Sequence, residues 1–264
     1  MTALKSFAVR MFFMFALPIA LLVLWWFASA NSTSVYFPPL SKIVAQLGIT
    51  WFPDRVMSDV LPSVLRLLGG YASALVVGVT VGIILSLAPR LRAFVEPLLD
   101  FMRGMPVVIL VPIFMLFAGI GTEMKLLVIA VGCLWPILLN TIIGVRGIDG
   151  VLKDTAATYR YRPSTLLFRL ILPGASPQIF TGARQSLSIA IILMVASEMF
   201  AANNGLGFMI VQFQRQFSIP EMWSGILLLG LLGVLLAALF NIVEHLMLGW
   251  YRGARAIAEN EGKK

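Results

Sequence analysis

The residues able to do chemistry in this chain are few and widely spaced. One cysteine, Cys133, and one histidine, His245, occur in 264 residues. A disulfide framework and any zinc site built from Cys and His are thereby excluded. A Cys–His or Ser–His nucleophile pair would have to use His245, which sits beside Glu244 near the end of an apolar run. Asp and Glu together number 12, which leaves little for general acid–base work. No Gly-x-x-x-x-Gly-Lys-Ser/Thr phosphate cradle occurs, so ATP has no site of that kind here. These features speak against an enzyme, and no metal or cofactor is expected on the chain itself. Two sets of polar residues remain. One is scattered through apolar segments: Asp100, Arg103, Asn140, Arg184 and Glu198. The other is the polar, basic stretch from Gly144 to Pro177.

Hydropathy defines the elements that must position them. The chain is 59% hydrophobic and 12% charged, with a mean hydropathy of +0.94. A soluble domain carries roughly a quarter charged residues. Lipid is the natural solvent for this composition. The net charge of +8 comes from basic residues dispersed between apolar segments, so it reports membrane orientation and not nucleic acid. An all-α polytopic membrane protein with six transmembrane helices is expected.

The first span, Met11 to Phe27 within residues 1–30, ends in Ala28-Ser29-Ala30, which is also the exit pattern of a cleavable signal peptide. Its length and the Trp25-Trp26 interfacial pair favour a retained span. Residues 31–62 read as an external segment with a short helix on the bilayer surface, because Ile43, Val44 and Leu47 share a face. Residues 63–248 hold five more spans: Ser63–Leu87, Pro97–Ala118, Leu126–Ile143, Gln178–Phe200 and Trp223–Leu248. Residues 249–264 form a basic tail. In the second span Ala74, Gly78, Gly82 and Ser86 are each four apart, a stripe that admits a close neighbouring backbone. Pro106 and Pro112 predict a kink in the third.

Charge bias orients the bundle. With both termini in the cytoplasm, thirteen basic residues lie inside: Lys5, Arg10, Arg90, Arg92, Arg146, Lys153, Arg160, Arg162, Arg169, Arg252, Arg255, Lys263 and Lys264. Only Lys42, Arg55, Lys125 and Arg215 lie outside, while Arg66, Arg103 and Arg184 fall in or at the edges of spans. This satisfies the positive-inside rule and places Gly144–Pro177 in the cytoplasm.

That cytoplasmic stretch runs Gly144-Val145-Arg146-Gly147-Ile148-Asp149-Gly150-Val151-Leu152-Lys153-Asp154-Thr155-Ala156 and closes with Leu170-Ile171-Leu172-Pro173. It resembles the coupling loop of binding-protein-dependent ABC importers: Glu-Ala-Ala, three residues, Gly, nine residues, Ile-x-Leu-Pro. Aligned on Pro173, Asp154 takes the Glu position, Thr155 and Ala156 the two alanines, and Arg160 the glycine. Further matches narrow the resemblance to the nitrate/sulfonate/taurine/bicarbonate permease branch: Gly119-Ile120-Gly121-Thr122, Thr181-Gly182-Ala183-Arg184, Ala196-Ser197-Glu198-Met199 and Gly205-Leu206-Gly207-Phe208. Arg160, followed by Tyr161-Arg162-Pro163, departs from the family's turn, and Pro163 is expected to supply that turn.

The resemblance implies a type I ABC importer permease in the bacterial cytoplasmic membrane. Its partners would be two ATPase subunits that bind the ATP and Mg, a second permease copy, with a homodimer favoured over a heterodimer, and an extracytoplasmic substrate-binding protein. The solute would be a small anion such as a sulfonate, nitrate or bicarbonate. The residues implied for ATPase coupling are Arg146, Asp149, Leu152, Asp154, Thr155, Ala156, Arg160, Pro163, Leu166 and Pro173. Thr155, Ala156 and Ala157 would seat in the partner's groove, with Ala156 facing it and Asp154 offering a charge or capping the helix. Leu166, Leu167, Leu170 and Leu172 would anchor the returning segment.

Candidates for the substrate path are Arg103, Asn140, Arg184 and Glu198, since intramembrane polar groups are costly. Each has a plainer reading: Arg103 paired with Asp100 on one face, Asn140 bonded across helices, Arg184 in a buried structural pair, and Glu198 an interfacial carboxylate facing outside water. The alternative function is an ion-coupled secondary transporter or channel, which predicts an internal repeat and discontinuous helices around a midplane ionisable site; neither is apparent. Topology gives the first test: in a Cys133→Ser background, a cysteine at position 165 should react with impermeant maleimide in inside-out vesicles and stay unlabelled in intact cells.

Overall fold

The structure is a computed structural model that describes residues 16–17, 19–200, 202–251 and 253. It is all-helical. The first helix, α1, is Ile19–Ser29, so the expected first span runs in part outside the described residues. Helix α2 covers Leu40–Trp51 and α3 covers Leu61–Leu87, extended backward by a π-turn over Val56–Val60. Helices α4, Pro89–Gly104, and α5, Val111–Ala118, are joined through a 3₁₀ turn at Val107–Leu110. Then come α6, Thr122–Arg146; α7, Gly150–Thr158; and α8, Pro163–Leu166, which passes through a π-turn at Leu167–Ile171 into α9, Leu172–Phe200. Helices α10, Leu206–Arg215, and α11, Ile219–Met247, complete the set.

Among the described residues four stretches are long and apolar enough to cross a membrane: Val56–Leu87, Thr122–Arg146, Pro163–Phe200 and Ile219–Met247. The expected third span is corrected: Pro97–Ala118 is no single kinked helix but a pair bent by 89°. Pro106 lacks the N–H that would carry the helix onward and is extended at the break, whereas Pro112 sits in the first turn of α5, where a missing N–H costs nothing. The stretch Gly144–Pro177 is also shorter as a loop than expected, because α6 reaches Arg146 and the next span begins at Pro163.

Helix α6 is the centre of the bundle, packed on α3 along one side and α9 along the other. In lipid every backbone polar group must be satisfied within the segment, and helices then associate through close packing and not through expulsion of water. The small-residue stripe of α3 does this. A Cβ on Gly82 would lie 2.7 Å from Thr141 Cβ, and one on Gly78 would lie 2.8 Å from Ile137 Cγ2. On the other side Gly182 of α9 would bring a Cβ within 2.6 Å of Pro136 O. Leu67, Tyr71 and Ala74 of α3, Val128, Ile129, Cys133 and Ile137 of α6, and Leu187, Ala190 and Met194 of α9 fill the core.

Two further expectations change. Helix α2 does not merely rest on the bilayer surface. Ile43 and Trp51 are buried against α11, and Trp51 Nε1 donates to Ser224 Oγ at 3.0 Å; Val44, expected on the same face, is exposed. Asn140 bonds within its own helix, Nδ2 donating to Pro136 O at 2.8 Å, and not across helices.

The seam between α3 and α6 predicts a contrast. Gly82→Val should destabilise the protein by about 1–3 kcal/mol through overpacking, seen as a lower melting temperature in detergent. Gly230→Ala, at a glycine with no neighbour within 4 Å, should leave it unchanged or raise it.

Candidate functional site

The loop helix α7 begins at Asp149, whose Oδ1 accepts from Val151 N at 2.9 Å. The cap is thus Asp149, correcting the assignment of that role to Asp154, which lies exposed inside the helix. The helix ends in a pair of tightening bonds: Tyr161 N donates to Ala156 O and Arg160 N to Ala157 O, both at 3.0 Å. This Schellman arrangement requires a left-handed residue after the cap, and Arg160 fills it with φ +48°. The position aligned with the family's glycine therefore has the left-handed backbone that glycine adopts at least cost. Pro163 does not make the turn; it starts α8.

Ala156 is the second correction. It is buried, turned toward its own bundle above a cavity lined by Leu87, Val145, Ile148, Leu166, Leu170 and Ile171. An outward groove contact through Ala156 is excluded by that packing. The opposite face of α7 carries Val151, Asp154, Thr155 and Thr158, all exposed. Thr155 and Thr158 hydroxyls bond back to Val151 O and Asp154 O at 2.7 and 2.9 Å, so their methyl groups face outward. Leu152 is half-exposed at the edge of this face. At the base of the loop Lys153 Nζ donates to Arg146 O at 3.4 Å. There the legs α6 and α9 nearly touch: a Cβ on Gly144 would lie 2.9 Å from Ala175 O. Leu166, Leu167, Leu170 and Leu172 pack with Ile83, Val145, Ile148 and Ile171, as expected of anchors. Pro173, in the first turn of α9, accepts from Ser176 Oγ at 2.8 Å.

At the other end of the bundle the helix start of α10 is held by side chains from α3, with its π-turn extension, and from α9. Gly205 N donates to Asp59 Oδ1 at 3.0 Å, Leu206 N to Ser63 Oγ at 2.9 Å and Gly207 N to Glu198 Oε2 at 3.0 Å. These are N–H groups that a helix start leaves unpaired, and the two carboxylates suit its positive end. Glu198 Oε1 also receives Ser63 Oγ at 2.7 Å and Arg66 Nη1 at 3.1 Å. Arg66 Nη2 reaches Asn204 Oδ1 at 2.7 Å. Gly205 has φ +122°, and a Cβ there would strike the Glu198 carboxyl at 2.5 Å. The Glu198…Gly205-Leu206-Gly207 spacing is thereby explained.

Glu198 is 1% exposed, so the reading of it as a carboxylate facing outside water is corrected. Lys125, counted among outer charges, is buried as well. Asp59, Ser63 and Arg66 were missed as site residues. Their i, i+4, i+7 spacing on one helix face was the available signal, concealed because the span was expected to start at Ser63. Arg103 pairs with Asp100 at 3.3 Å, both exposed. Arg184 pairs with Glu244 and Asn241 of α11, but its side chain is 56% exposed, so the pair is not buried as expected. No hydrogen bond or ion pair among the described residues joins any two of Arg103, Asn140, Arg184 and Glu198.

The described residues thus form a multi-pass helical bundle that displays a short capped helix between two of its spans. Residues 74–251 match the family described as binding-protein-dependent transport system inner membrane component, and the chain belongs to that family. It is similar to SsuC of Bacillus subtilis (strain 168), named as an aliphatic sulfonates transport permease protein, with 31% identity over 71% of this chain and 68% of the relative. The taurine transport system permease protein TauC of Escherichia coli (strain K12) is 26% identical over 88% of this chain and 86% of its own. The bicarbonate transport system permease protein CmpB of Synechococcus elongatus (strain ATCC 33912 / PCC 7942 / FACHB-805) is 29% identical over 81% of each. The fold matches a chain of the inward-facing MetNI methionine ABC transporter with a TM-score of 0.62 at 20% identity, over 72% of this chain and 94% of that one. The chain is a membrane-spanning, non-catalytic permease subunit of an ABC importer, with the type I permease fold.

The buried pair predicts an asymmetric cost. Arg66→Met leaves Glu198 as an uncompensated buried charge and should destabilise the protein by about 3–5 kcal/mol. Arg103→Met, at an exposed pair, should cost less than about 1 kcal/mol. Thermal unfolding of the two variants in the same detergent checks the order.

Proposed function

We propose that α7 is the coupling helix that receives mechanical work from an ATPase subunit, and that the bundle is one half of the path for a small anion. The observation that carries this reading is the division of α7 into two faces. One, through Ala156, is packed on the bundle. The other presents Val151, Asp154, Thr155 and Thr158, a compact exposed surface of small side chains with one acid. Such a surface suits a groove on a soluble partner that carries a basic residue. The helix is tied to the ends of α6 and α9 through Lys153 on Arg146 O, through Ala156 and through the leucine anchors, so a push on it moves two spans together.

In this reading α7 and both termini are cytoplasmic, which follows the charge bias. Two copies of the chain work with two ATPases, which bind the ATP and Mg, and with an external binding protein. ATP binding draws the two α7 helices together and opens the path outward, solute enters from the binding protein, and hydrolysis resets the bundle. A small anion is supported by the sulfonate, taurine and bicarbonate names of the relatives. Of the sequence candidates, Asn140 and Glu198 serve packing and the α10 lock in this account.

Val151→Glu and Asp154→Arg should each reduce substrate-stimulated ATP hydrolysis in reconstituted vesicles by about tenfold or more, since an unpaired charge at an interface costs several kcal/mol. Folding and melting temperature should hold, because both positions are exposed. Arg160→Gly, which relieves a left-handed residue worth about 1 kcal/mol, should preserve coupling. Full stimulation in Val151→Glu would place the ATPase contact elsewhere.

A further inference from the structure

The end of the bundle opposite α7 contains a cavity that the coupling reading does not use. It has a volume of about 540 Å³ and lies between the ends of α5 and α9 and one face of α10. The polar side chains in its wall are Asn203, Gln212, Arg215 and Gln216, and no Asp or Glu lines it. Arg215 meets no hydrogen-bond acceptor or carboxylate among the described residues. Three other cations toward this end are placed differently: Arg66 is spent on Glu198 and Asn204, Arg55 lies over the Phe213 ring at 5.1 Å, and Lys125 is buried at the start of α6. Met115, Ile120, Met199, Phe200, Phe208 and Val211 supply the rest of the wall.

We propose that this cavity is an anion-receiving subsite of the permease itself, in which Arg215 binds the charged group and the apolar wall holds an organic portion of the solute. The proposal rests on the importer reading and deepens it. An arginine offers several donors in one plane to an oxyanion, and the neighbouring amides add donors that need no counter-charge. A wall of thioether and aromatic groups contributes only if the solute carries apolar surface to bury. A small organic anion therefore gains from both the polar and the apolar parts, whereas a fully hydrated inorganic oxyanion gains from Arg215 and the amides alone. The cavity is in the size range of small-molecule sites. The Asp59–Ser63–Glu198 hold on the start of α10 sets the position of Gln212 and Arg215 two turns further along the same helix.

The test uses the assembled transporter in vesicles, with Cys133→Ser and a reporter cysteine at Asn203, an exposed position on the cavity wall. Maleimide labelling at 203 is timed with 1-butanesulfonate or with sulfate at equal ionic strength. At a ligand concentration about ten times its dissociation constant, butanesulfonate should slow labelling about tenfold. Sulfate should slow it much less. Arg215→Gln should remove the protection, and Arg215→Lys should keep part of it. Unchanged labelling with butanesulfonate, equal protection by sulfate, or protection that survives Arg215→Gln each overturns the subsite. ATP-driven uptake by the same vesicles reports the importer reading separately: protection without any ATP-dependent uptake rejects that reading and supports the subsite.

Discussion

The close approach of α3 and α9 to α6 is the constraint on which the other features depend. In lipid no hydrophobic driving force draws two apolar helices together, so contact must come from surfaces that fit. Glycines at 78, 82 and 182 bring backbones and side chains nearer than a Cβ would allow. That seam runs from the buried polar cluster at one end to the base of α7 at the other, where Gly144 repeats the same device against Ala175. The three helices therefore form one stiff unit. Helix α11, by contrast, is apolar and mostly exposed in the isolated chain, as suits a helix with lipid around it.

Each end of this unit carries a short helix held by polar groups. At one end Asp149 starts α7 and a left-handed Arg160 stops it. At the other, Asp59, Ser63 and Glu198 take up the first N–H groups of α10. The chemistry differs in burial. The α7 cap is exposed and water can substitute for it, whereas Glu198 and Arg66 lie in the interior, where an unpaired group has no replacement partner. Both devices fix where a short helix begins, and the Schellman turn also fixes where α7 ends.

Much of this was legible in the residues. The apolar runs, the stripe Ala74-Gly78-Gly82, the leucine anchors and the Leu-Pro spacing all act through local periodicity, and each appears as a helix face or a helix start. The site was less legible. Asp154, at the family's acidic position, suggests a charge for the partner or a cap, yet it is Asp149 that precedes the first helical turn and caps it. Ala156 was read as outward-facing, but where α7 lies against Val145, Ile148 and Leu166 determines which of its faces is free. Pro106 announced a kink, and the bundle turned it into an 89° break.

The sequence by itself determined that the chain lives in lipid, where its long apolar runs fall and that a short loop helix lies between two of them. These properties depend on composition and on spacings of three, four or seven residues, and neighbours along the chain are enough to set them. Only the tertiary structure decided that Glu198 is buried with Arg66 and Ser63, that Trp51 pins α2 to α11, and that Arg215 is left facing a cavity while Arg55 and Arg66 are engaged. Those outcomes depend on partners more than a hundred residues apart in the chain, such as Ser63 and Glu198 at |i−j| = 135. No local spacing carries that information, because it arises only when α3, α6 and α9 close around one another.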